Sequence, residues 1–84
     1  MVWETFLYEI RGRFTSHFHP RGGEHTISHC VTEKDARAEM EKLKKHGGYS
    51  NLKLVHIEIP MENGYNCGHG RETVLVKWKK SDNE

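Results

Sequence analysis

The sequence predicts an α+β fold: a single β-β-α-β-β domain in which one amphipathic helix packs on one face of a four-stranded, mainly antiparallel sheet. Two observations carry this expectation. The segments WETFLYEIRGRF and ETVLVKWKK alternate apolar and polar side chains as half-buried strands do, and TEKDARAEMEKLKKHGG between them has the caps and apolar spacing of a helix. Each element then has one apolar side to cover, and laying the helix across the sheet covers them together.

The first strand, over residues 3–14, sets Phe6, Tyr8, Ile10 and Phe14 against Thr5, Leu7, Glu9, Arg11 and Arg13, with Gly12 marking a bulge or bend. HPRGG has loop chemistry, and HTISHCV resumes a short β-prone run with Ile27 and Val31, so the first two strands should form a long hairpin. The helix follows Thr32, an N-cap with Asp35 three positions on, and stops at Gly47 and Gly48, giving a span from Glu33 to His46. Ala36, Met40 and Leu43 form its apolar stripe, while Glu33 with Arg37 and Glu41 with Lys45 pair one turn apart on the wet side. NLKLVHIEIP is a third strand, with Val55, Ile57 and Ile59 opposed to Leu54, His56 and Glu58, and Pro60 stopping it. PMENGYNCGHGR is a loop rich in Gly and Asn. The last strand sets Val74, Val76 and Trp78 against Thr73, Leu75, Lys77 and Lys79, and the polar tail 81–84 frays.

With these sides inward, the covered face holds Phe6, Tyr8, Ile10, Ala36, Met40, Leu43, Val55, Ile57, Val74, Val76 and Trp78. The open face displays Glu9, Arg11, Arg13, Thr26, Ser28, His56, Glu58, Lys77 and Lys79, with Leu7, Leu54 and Leu75 among them, a mixed surface suited to a partner.

Composition narrows the function. The 84 residues make one domain, 1–84, with a small core, and 35% hydrophobic against 30% charged residues leaves little material for an enclosed substrate pocket. An elaborate enzyme is disfavoured. The 13 basic and 12 acidic side chains nearly cancel, which disfavours binding by bulk charge and leaves local patches available. MVWETFLYEI has no basic n-region or long apolar run, and nothing approaches the roughly 18 apolar residues of a membrane span. A cytoplasmic chain, monomer or homodimer, with no membrane partner and with Cys30 and Cys67 reduced, is expected.

TSHFHPRGGEHTISHC gathers four of the seven histidines and asks for a zinc reading. His17 with His19, and Cys67 with His69, could each supply two ligands, although a one-residue spacing is shorter than structural zinc sites use. His29 and Cys30 point to opposite faces of a strand and do not share an ion. Cys67 and His69 beside Glu62 come nearest to a nucleophile with a base, yet no rigid element holds them. GYNCGHGR lacks the following helix and the Lys-Ser/Thr of a phosphate loop. No catalytic residue and no cofactor is assigned. Arg11, Arg13 and Arg21 lie on the first hairpin and Lys77, Lys79 and Lys80 on the last strand, with Phe14, Phe18 and Trp78 as stacking groups. If those two strands are neighbours, the cations join into one patch able to meet DNA or RNA.

A Met-initiated, charge-dense chain of 84 residues built as β-β-α-β-β around VTEKDARAEMEKLKK resembles small phage-encoded accessory proteins, of which the anti-CRISPR proteins are the best-known group. The resemblance is one of layout over the whole chain, and no residue role is carried over with it. It implies a stoichiometric inhibitor that occupies a surface of a host complex, often one that otherwise grips nucleic acid. The expected function is therefore a non-enzymatic binding protein, a phage or mobile-element inhibitor of a host defence or nucleic-acid-processing complex, working in the host cytoplasm on a protein or ribonucleoprotein. The alternative is a module that binds DNA or RNA directly through the basic hairpin and strand face, and a third reading is a zinc-binding or catalytic domain using the His and Cys loops. Arg11, Arg13, Arg21, His56, Lys77 and Lys79 are the expected partner-binding residues.

Overall fold

The computed structural model describes residues 1–14 and 23–80. Along the chain these form β1 (Val2–Phe14), β2 (His25–Cys30), α1 (Glu33–His46), β3 (Tyr49–Glu62), β4 (Tyr65–Asn66) and β5 (Arg71–Lys79). Every pairing is antiparallel: β2 with β1, β1 with β3, and both β4 and β5 along the other edge of β3. The α+β class is as expected, with one strand more. Asn63 and Gly64 take φ of 52° and 81°, closing a tight Asn-Gly turn that pairs Tyr65 and Asn66 with Glu62 and Met61 inside the segment expected as loop.

Local chemistry sets the helix ends. The Thr32 hydroxyl accepts the Asp35 N–H at 3.2 Å, and Gly47 takes φ 72° after the last turn. Arg37 pairs with Glu33 at 2.9 Å, and Glu41 takes Lys44 at 2.9 Å in place of Lys45. Ala36 and Met40 are buried and Leu43 half-buried, all packed with Ile10, Leu52 and Leu54. Gly12 allows β1 this close to its neighbours: a Cβ there would strike the Asn51 carbonyl oxygen and come within 2.8 Å of Leu52 and 2.9 Å of Ile27.

The packing reverses the expected phase of β3. Leu52 and Leu54 join the helix-side core, which sends Val55 and Ile57 to the face away from the helix and brings His56 and Glu58 onto the helix side. The cause is that β3 lies between β1 and β5 and buries apolar side chains on both faces, so its sequence favours neither phase. Bulges account for the other differences. A register shift between Thr5 and Leu7 leaves Phe6 57% exposed, and a shift at Leu54/Val55 makes Leu75 the extra residue of β5, turning it onto the core and leaving Val74 beside Val55. A third shift in β2, beside Ile10, pairs Ser28 with Ile10 on the helix side while Thr26 stays opposite Arg11.

Strand and helix lengths differ enough to matter. A helix of 14 residues spans about 21 Å, whereas strands of 13 and 14 residues span roughly 45 Å. The helix therefore covers only part of one face of a molecule whose longest dimension is 50 Å. Among the described residues no helix is long and apolar enough to cross a membrane.

Candidate binding face

On the face away from α1, the register sets Arg13, Asn51 and Lys79 side by side across β1, β3 and β5, and Arg11, Lys53 and Lys77 in the next row. Neighbours within a row stand about 4.8 Å apart and the rows about 6.8 Å. The expected adjacency of the first and last strands does not hold, because β3 runs between them. Lys53 fills that gap, so the basic residues still form one patch. All of them but Arg11 line an open groove of about 420 Å³, together with Asn51, Glu24, Leu52 and Trp78.

The cations differ in how they are held. Arg11 donates Nε to Glu9 at 2.8 Å and forks onto both Glu72 oxygens at 2.6 and 2.8 Å. The Glu72 bond, and after it the Glu9 bond, raises the Arg11 pKa against the burial that lowers it, and the same bond holds the Glu72 carboxyl below its ordinary range. By register this clamp crosses β3 at Val55, which is 1% exposed although no helix covers it. Arg11 is thus spent on the fold. Lys53 has Glu24 at 3.0 Å. Among the described residues, no carboxylate pairs with Arg13, Lys77 or Lys79. Lys53 and Lys77 are direct cross-strand partners, an arrangement of like charges that destabilises a sheet.

His56 does not join this patch. Its ring stacks on Tyr8 with centroids 4.7 Å apart, Nε2 lies 2.8 Å from the Thr5 hydroxyl, and Nδ1 is 4.0 Å from Glu58. Glu58 in turn accepts Arg71 at 3.1 and 3.4 Å, and the Arg71 guanidinium sits 4.2 Å over the Trp3 ring. These residues occupy the helix-side face beyond the helix, where the parity of β3 puts them.

Arg21, His17 and His19 lie outside the described residues. Cys67 and His69 are exposed, and the Cys67 thiol is 3.5 Å from the Pro60 carbonyl oxygen. Among the described residues no group of three or more His, Cys, Asp or Glu gathers as a metal site. Both cysteines are free thiols. Asn51, Lys53 and Glu24 are the members of the face that sequence reasoning missed. The alternation Leu52-Lys53-Leu54 held the signal for Lys53, and the longer Val55, Ile57, Ile59 run outweighed it. The chain matches no family model, no curated protein and no solved structure.

Proposed function

We propose that the protein is a non-enzymatic binding module that acts by occupying a surface of a larger assembly, with the basic end of its open sheet face as the contact. The layout resemblance to phage-encoded accessory inhibitors makes a host defence or nucleic-acid-processing complex the partner and the host cytoplasm the place of action. The observation that carries this reading is Lys53 directly opposite Lys77, next to Lys79 and Arg13. A sheet under selection for stability alone would place opposite charges or threonine at that pair. Arg13, Lys77 and Lys79, kept beside Lys53 without carboxylate partners among the described residues, complement an anionic surface, where they steer encounter and fix register.

The test is capture of a host assembly by tagged protein expressed in bacteria. Lys77→Glu with Lys79→Glu should abolish capture, while Arg37→Glu with Lys45→Glu on the exposed side of α1 should leave it intact. The reverse pattern would move the contact to the helix and end the sheet-face reading.

A further inference from the structure

Building on that reading of the face, we infer that the groove holds the sugar-phosphate backbone of a nucleic acid, and that Glu24 is an internal stand-in for a phosphate, displaced from Lys53 when the nucleic acid binds. Three observations lead there. The first is regularity: the cations sit on the repeat of the sheet, Arg13 and Lys79 in one row and Lys53 and Lys77 in the next, a pattern that suits a repeating polyanion. The second is residue type. Protein interfaces are depleted in lysine and anchored by aromatic or aliphatic side chains, whereas nucleic-acid interfaces are dominated by cations. This groove has three lysines and an arginine, and no exposed large apolar side chain stands among them.

The third is the anion already in the groove: the Glu24 carboxylate, 3.0 Å from Lys53, occupies the position a phosphate oxygen would take. Exchange of one anion for another leaves Lys53 paired throughout.

The experiment is fluorescence anisotropy with a labelled oligothymidylate over a salt series. Arg13, Lys77 and Lys79 together should give a slope of log K against log salt of roughly −2, at about −0.7 per phosphate neutralised. Lys77→Gln with Lys79→Gln should make it shallower by about 1.4. Glu24→Gln should tighten binding about two- to five-fold, the equivalent of one exposed ion pair no longer competing. Urea midpoints measured beside each variant separate binding from folding. Unchanged or weaker binding by Glu24→Gln overturns the stand-in role. Polyaspartate competing as well as the oligonucleotide would give the groove to an acidic protein surface. If no oligonucleotide binds while Lys77→Glu with Lys79→Glu still abolishes capture of a host assembly, this inference fails and the binding-face reading stands. If that double variant changes neither, both fail.

Discussion

Replacing Lys77 with threonine should stabilise the fold while weakening binding. Lys77 and Lys53 are direct partners across β3 and β5, with both side chains on the face away from the helix. Like charges so placed cost roughly 0.2–1 kcal/mol relative to a neutral pair. The Glu24 carboxylate, 3.0 Å from Lys53, offsets part of the repulsion and puts the expected gain in the lower half of that range, about 0.2–0.5 kcal/mol. Threonine's strand preference acts in the same direction. With a urea m value of about 1 kcal/mol/M for so small a domain, the midpoint should rise by roughly 0.2–0.5 M.

Salt separates the two contributions. Repulsion between exposed ammonium groups is screened over about 10 Å at 0.1 M salt and about 3 Å at 1 M, so the charge part should fade while the threonine part persists. Removing the offset by Glu24→Gln should enlarge the gain from Lys77→Thr, because Lys53 then faces Lys77 uncompensated. A midpoint that falls at low salt, or a gain indifferent to salt and to Glu24, would mean that no repulsion crosses this ladder. The basic face would then be an ordinary solvated surface.

Two further outcomes check the frame around the face. Met40→Ala should cost about 2–5 kcal/mol and largely unfold a marginal domain, Leu43→Ala should cost less because that side chain is half-buried, and Lys42→Ala should stay within about 0.5 kcal/mol. Thermal unfolding followed by circular dichroism reads all three, and equal small effects of Met40→Ala and Lys42→Ala would refute the helix packing. The Arg11 clamp lowers the Glu72 pKa, so its stabilisation is present above the ordinary carboxylate range and is lost as pH falls through the lowered folded value. With Glu72 about half exposed (49%), Glu72→Gln should lose at most about 1 kcal/mol at neutral pH and nothing in strong acid, and a difference that persists in acid would show that the clamp is not ionic.

How far the sequence reveals this arrangement depends on whether a signal is local. The helix was legible to its last residue, because Thr32, Asp35 and Gly47 act within one turn of the ends they set. Arg11, Arg13, Lys77 and Lys79 were legible as one face, since β1 beyond Phe6 and β5 beyond Leu75 keep an unbroken period of two up to Arg13 and Lys79. The middle strand was not. With Leu52 and Leu54 on one phase and Val55, Ile57 and Ile59 on the other, both faces of β3 read as apolar, and only the neighbours decide which meets the helix. His56 was misplaced and Lys53 missed for that single reason. Bulges at Phe6 and Leu75 shift parity without a Gly or Pro to announce them. The bond from Arg11 to Glu72 joins residues 61 positions apart and exists only once β3 is in place between them.

That bond also divides the open face into two ends with different work, and the division decides which variants can speak about function. Toward Leu7, Arg11 is neutralised by Glu9 and Glu72 and lies across Val55, which would otherwise be an apolar side chain open to water. Reversing the charge of Arg11 would leave two carboxylates facing a third and uncover Val55, so any lost binding would be inseparable from lost stability. Toward Arg13 the logic is the opposite. Arg13, Lys77 and Lys79 are exposed and have no carboxylate partner among the described residues, and Lys77 stands directly opposite another lysine. If Lys77→Thr raises stability and lowers binding together, Lys77 is kept for recognition, and Lys79, opposite Asn51, stands beside it at the end of the face that Arg13 and Lys53 share.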